Sequence, residues 1–352
     1  MLYIIIAIVL FGVLIGIHEL GYFTAAKLCG VRVLEFSIGM GPLLWHRDGK
    51  ETRYSLRLLP LGGYCSMEGE DQESDDPRAF SRAAGWKRFI ILIAGSLANF
   101  LIGLVIVLCL FASSTGHVTP VLKGFEDGFL CQGADMLLAG DEFLSIDGKR
   151  VLTYSDVPTL LNRGGSGTHD LTVRRDGVKV KLNDLPLVPR EYRVEGKTVT
   201  MYGMYFESVP GSLPGNLRLG VATSLDFVRL IWWSLEDLIS GAVGVNALTG
   251  PIGIVDSMSD MAKSSESVRG AAINLLYFAA FIAINLSFMN LLPIPALDGG
   301  RVLFLLVNGL LWLVCRKSIP TKYESYVHLG GMALLLSLMI FVAVQDVIRL
   351  MG

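Results

Sequence analysis

The chain has 352 residues, of which 52% are hydrophobic and 18% charged, with a formal net charge of −2 at pH 7. A mean hydropathy of +0.54 excludes an ordinary soluble protein of this length, and the nearly balanced charge gives no sign of nucleic-acid binding. The apolar excess is concentrated in blocks without a charge: Met1–Ile17, Phe89–Gly116, Ala271–Leu297 and Val327–Gln345. Each is close to or above the about 18–20 residues that cross a bilayer core, which predicts about four transmembrane helices.

The first block lacks the basic start and small-residue cleavage site of a signal peptide, and its apolar character continues through Phe23–Leu28. It reads as a retained span over residues 1–28. Within it stands Gly16–Lys27, GIHELGYFTAAK, where an ionisable pair, His18 and Glu19, sits at membrane depth. Such a pair is costly there and marks a functional candidate, although a snorkelling pair at a helix end is the plainer reading.

Residues 29–88 form a loop rich in Lys and Arg, whereas the N-terminus carries no basic side chain. The positive-inside rule places this loop in the cytoplasm and the N-terminus outside; four spans then put 117–270 outside as well. Val31–Gly39 alternates apolar and polar residues, and Trp45–Leu58 reads as a β-hairpin around the Asp48-Gly49 turn. The element is either a small cytoplasmic hairpin or a membrane-associated one that dips into a protein-lined cavity. An acidic run, Glu68–Asp76, gives way to a basic one, Arg78–Arg88, with Trp86 as an interfacial anchor before the span over 89–116.

Residues 117–188 contain GADMLLAGDEFLSIDGKRV at 133–151 and a further Asp176-Gly177 turn. The Gly-Asp and Ile-Asp-Gly spacing resembles PDZ domains of the bacterial membrane-protease type, α+β modules that bind an extended peptide by adding it to a sheet edge. Residues 189–270 continue with polar strands and then Leu225–Ile239, whose apolar face and paired tryptophans fit a helix in the membrane interface or a core helix. Five cysteines would fall in three compartments, so no disulfide framework is expected.

Residues 271–315 read as a broken third span. Asn290–Gly300, NLLPIPALDGG, interrupts it: Pro293 and Pro295 remove backbone donors, and Asp298 follows in an otherwise apolar setting. Val302–Cys315 is then the second half of a broken or re-entrant helix, and 326–348 carries the last span. Two separate apolar segments thus present acid–base or metal-ligating groups at membrane depth, and a meeting of His18 with Asp298 best explains their shared avoidance of water.

Together these motifs resemble the site-2 protease family, zinc metalloproteases that cleave within membranes, in the branch of regulated intramembrane proteolysis with a single PDZ domain. The likeness runs through HELG with FTAAKLCGV, FSIGMGP at 36–42, PLGGY at 60–64, AGSLANF at 94–100, GPIGIV at 250–255 and NLLPIPALDGG. The resemblance implies zinc held by His18, position 22 and Asp298, with Glu19 as general base. It implies that Asn290, Pro293 and Pro295 shape the break and contact substrate, and that the 36–64 loop holds unwound substrate as an added strand. It further implies single-span membrane-protein substrates, a peptide at the PDZ-like domain, and a multi-pass place in the cell (inner) membrane with the PDZ-like domain outside. Position 22, however, is Tyr where the family has its second histidine. Three readings stay open there: an impaired protease, a pseudoprotease that binds transmembrane peptides, or a phenolate ligand. A transporter with a broken midplane helix would leave the PDZ-like domain unexplained and lacks the internal repeat.

Overall fold

The computed structural model describes residues 2–70, 74–163, 167–194, 197–244, 248, 250–263, 265, 267–317, 319 and 321–351. The middle of the acidic run, residues 71–73, lies outside them. The chain divides into two compact units, one of Met1–Ile106 with Phe227–Gly352, the other of Val107–Asp226.

In the first unit the apolar blocks are helices: α1 Leu2–Cys29, α2 Gly85–Ala112, α6 Val268–Asn290, α7 Asp298–Cys315 and α8 Thr321–Met351. Five described helices are long and apolar enough to cross a membrane, because the run after the prolines is a full helix of its own. The break is a matter of backbone chemistry. Pro293 and Pro295 offer no N–H, so α6 stops at Asn290, and α7 restarts at Asp298 behind an extended Leu297.

Between α1 and α2, β1 Val33–Asp48 pairs antiparallel with β2 Arg53–Met67, turning at Gly49, whose N–H donates to Thr52 O at 3.0 Å. The ladder slips register repeatedly from Glu35 to Trp45, as glycines with positive φ at 39, 41 and 62 allow. A buried cluster of Ala25, Ala26, Val31, Val33, Cys65, Met67, Phe80, Ile91 and Leu92 joins the base of this hairpin to α1 and α2. Farther out the hairpin exposes Leu43, Leu44, Trp45, Leu58 and Leu59.

The same unit contains the later part of α4, Leu213–Ser240, and α5, Pro251–Lys263. The start of α5 is held by Asp346 of α8, 1% exposed, whose carboxylate accepts the N–H groups of Gly250 (3.3 Å) and Gly253 (2.9 Å). A carboxylate at a helix N-terminus satisfies donors that otherwise have no intrahelical partner.

The second unit centres on an antiparallel sheet of order β10-β3-β4-β6-β7, from Met204–Pro210, Gly116–Phe125, Glu142–Ile146, His169–Arg175 and Val178–Leu185; β5, Lys149–Arg150, pairs with β4. Two Asp-Gly turns, at 147–148 and 176–177, have φ positive at both residues, the geometry that matches strand twist in a tight hairpin. Helix α3, Asp156–Arg163, buries Val157, Leu160 and Leu161, and Phe143, Ile146, Leu171 and Val173 form the core beneath. Asp141, fully buried, receives two hydrogen bonds of 2.8 Å from Arg175, which also donates to the carbonyls of Ala134 and Met136. β8 Arg190–Val194 and β9 Lys197–Met201 form a separate ribbon. Strand β10, from the stretch read as lying beyond the domain, is an edge of the main sheet.

Candidate active site

His18 is on the C-terminal half of α1 and is buried, 7% exposed. Its place depends on glycines in the facing helix. A Cβ on Gly95 of α2 would stand 2.6 Å from His18 Nε2, so the imidazole lies directly on that backbone. One turn of α1 away, a Cβ on Gly21 would stand 2.5 Å from Ala94 O; both helices therefore meet through small residues. The stretch AGSLANF thereby gains a physical role, with Gly95 the floor under His18.

Asp298 opens α7 and reaches the same point. Its Oδ2 lies 3.2 Å from His18 Nε2 and accepts a long hydrogen bond from Ser96 Oγ at 3.4 Å. The two glycines after Asp298 are required by close approach: a Cβ on Gly299 would stand 2.2 Å from Leu291 O, and one on Gly300 2.4 Å from Ile294 O. Arg301, one turn on, is ion-paired with Glu70 in the segment after β2.

Tyr22, four residues after His18, lies on the same helix face. Its ring meets the imidazole edge-on, centroids 4.9 Å apart, and it lies beside the Asp298 carboxylate. Glu19 turns toward β2, where its Cγ would be 3.3 Å from a Cβ on Gly63 and its carboxylate lies near the Cys65 backbone. The structure thus brings His18, Tyr22 and Asp298 together, with Glu19 beside them. Asn290 ends α6; Pro293 is exposed in the turn, and Pro295 packs against Gly331 of α8. Sequence reasoning missed Ser96 as a partner of Asp298, and nothing in a lone serine of an apolar helix points to it.

Zinc, which the motifs imply, can be tested against this donor set. Two donors bound at about 2.0–2.2 Å to a tetrahedral zinc stand about 3.3–3.6 Å apart, close to the separation of His18 Nε2 and Asp298 Oδ2. The third corner differs. A neutral phenol is a poor zinc donor, since it must first lose a proton with an unperturbed pKa of about 10. Among the described residues there is no group of three His, Cys, Asp or Glu side chains able to hold a metal. The cluster fits zinc at two corners and fails at the third.

A family model described as Peptidase family M50 matches residues 6–338. A Clostridium acetobutylicum protein is 36% identical, covering 98% of this chain and 97% of its own. The Bacillus subtilis protein named Regulator of sigma-W protease RasP is 28% identical over 97% of both chains. The Geobacillus kaustophilus protein named Zinc metalloprotease RasP is also 28% identical, over 97% of this chain and 96% of its own. With the match running nearly end to end and embracing both halves of the polar cluster, the chain belongs to peptidase family M50, the site-2 protease family.

Proposed function

We propose that this protein is an intramembrane zinc metalloendopeptidase by descent, built to cut transmembrane segments of single-span proteins in regulated intramembrane proteolysis and impaired by Tyr22. The meeting of His18 and Asp298 at 3.2 Å, from opposite ends of the chain, carries the reading. His18 and Asp298 would hold the metal, whose chemistry is to polarise a carbonyl and bring a bound water to a pKa of about 7. Glu19, held against the β2 backbone at Gly63, is placed to take a proton and return it to a leaving amine. The β1–β2 ribbon runs beside Glu19 at Gly63 and, among the described residues, is two-stranded, so an unwound substrate can add along an edge. Its exposed Trp45 and leucines support a membrane-associated rather than a purely cytoplasmic hairpin. Asn290, Pro293 and Pro295 would shape the adjoining turn and contact substrate.

The basic loop at 29–88 supports a cytoplasmic hairpin, with the N-terminus and the second unit outside a cell (inner) membrane. The Asp-Gly turns and the Asp141–Arg175 anchor support a PDZ-like module that takes a peptide or screens substrates by size.

Tyr22 governs activity. It stands in contact with His18 and beside Asp298, so a metal must find room next to a phenol as well as do without a histidine. The same contact favours a second reading, a pseudoprotease that retains transmembrane peptides uncut. Zinc content and cleavage of a model transmembrane substrate, measured for the chain as it stands and for Tyr22→His, separate the two. We expect the native chain to hold little zinc and the variant to gain both metal and cleavage. If Tyr22→His gains neither, the assignment of His18, Glu19 and Asp298 fails; if the native chain cleaves at full rate, the impairment is wrong.

A further inference from the structure

The turn that presents Asp298 is fastened from outside itself. Within it, the N–H groups of Leu291, Leu292, Ile294, Leu297 and Gly300 donate to backbone carbonyls of 288–297. Ala296 differs: its N–H donates to Nδ1 of His328, on α8, at 2.9 Å. Ala296 also has φ of 78°, the left-handed region in which a side chain crowds the backbone. A non-glycine residue stays there where its surroundings over-determine it. Gly331, one turn along the same face of α8, supplies a second hold, because a Cβ there would stand 2.5 Å from Pro295 Cβ and 2.6 Å from Pro295 O. The His328 ring also packs against Phe304 of α7, centroids 5.7 Å apart.

We propose that His328 is a positioning residue whose Nδ1, by accepting the Ala296 N–H, locks the left-handed turn that aims Asp298 at His18. A backbone N–H can only donate, so Nδ1 is the acceptor and the ring is the neutral tautomer protonated at Nε2. Only Leu297 stands between Ala296 and Asp298, and Gly299 and Gly300, which follow Asp298, pack too tightly to absorb a change on its other side. Loss of the acceptor therefore leaves Ala296 free to relax toward ordinary φ and swings the carboxylate away. The consequence for metal rests on the proposed role of Asp298; the fastening itself does not.

Two readouts on the full-length protein in nanodiscs test this. In the native chain, hydrogen exchange of peptide 291–301 is compared with His328→Leu, which removes the acceptor, and His328→Asn, whose Oδ1 can stand where Nδ1 stood. Exchange at Ala296 is expected to quicken at least tenfold in the leucine variant and to stay near native in the asparagine variant. In a Tyr22→His background, cobalt(II) affinity read from its visible absorption is expected to fall about tenfold with leucine and to recover with asparagine. Unchanged exchange in His328→Leu overturns the proposal, and so does equal loss in both variants, which would make ring packing on Phe304 the cause. Should Tyr22→His bind no cobalt at all, the reading of the site as metal-binding fails while exchange alone still decides the fastening.

Discussion

At the residue scale the site depends on atoms that are absent. His18 reaches Asp298 because Gly95 has no side chain, and a methyl group there would overlap the imidazole at 2.6 Å. In the Tyr22→His background, Gly95→Ala is expected to lower zinc affinity at least tenfold, about 1.4 kcal/mol or more. Gly16→Ala is the control, since a Cβ at Gly16 meets nothing within 4 Å and helix propensity favours alanine. Equal affinity in the two variants would remove Gly95 from the account. Tyr22 is the converse case, a side chain present where a smaller donor belongs. Its departure from the motif was plain in the sequence, but its place beside Asp298 was not, because the two residues have no sequence proximity.

At the scale of elements, the hairpin has a polar clasp. Glu35 accepts hydrogen bonds from Ser55 Oγ at 2.6 Å and Arg57 Nη2 at 3.0 Å, and Arg57 also donates to Gly41 O and Tyr64 OH. Burial alone would raise the Glu35 pKa, but the hydrogen bonds from Ser55, Tyr64 and Arg57 outweigh it and hold the carboxyl below its ordinary range. For an acid so lowered, the stabilisation is fully present above the unfolded value of about 4.3 and is lost as pH falls through the folded one. Amide protection across 37–41 and 55–57 is therefore expected to decline below about pH 4.3 in the native chain and to decline less in Glu35→Gln. Identical profiles in the two proteins would assign the acid sensitivity elsewhere. The ribbon's turn at Asp48-Gly49 was legible in sequence. Its repeated register slips were not, since glycines permit a slip without dictating which carbonyls pair afterwards. Likewise the proline break between α6 and α7 was readable, whereas Asp346 holding the start of α5 from α8 was invisible, a single carboxylate near the end of an apolar run.

For the whole molecule, the proposed topology makes an accessible claim. Cys131 is 2% exposed and cannot report it, so reporters belong on exposed positions. In a cysteine-free background, Val178→Cys in the second unit is expected to react with a membrane-impermeant maleimide added to intact cells. Arg47→Cys in the hairpin is expected to react only after permeabilisation. The reverse pattern would invert the orientation, and with it the side from which substrates are screened.

Local chemistry decided what could be read without coordinates. Charge-free blocks long enough to span a bilayer, Asp-Gly turns that demand positive φ, and prolines that end a helix act over a few residues, so they are written in the order of the chain. Tertiary structure alone decided the contacts that make these pieces a site: Gly95 beneath His18, Asp298 on His18, Gly63 beside Glu19 and His328 on Ala296. Each joins distant segments across a shared interior, where close packing and the need of every buried donor for an acceptor select the partner. Neither constraint leaves a pattern along the chain, which is why the family's motif could be recognised at once and the surroundings of Tyr22 understood only in three dimensions.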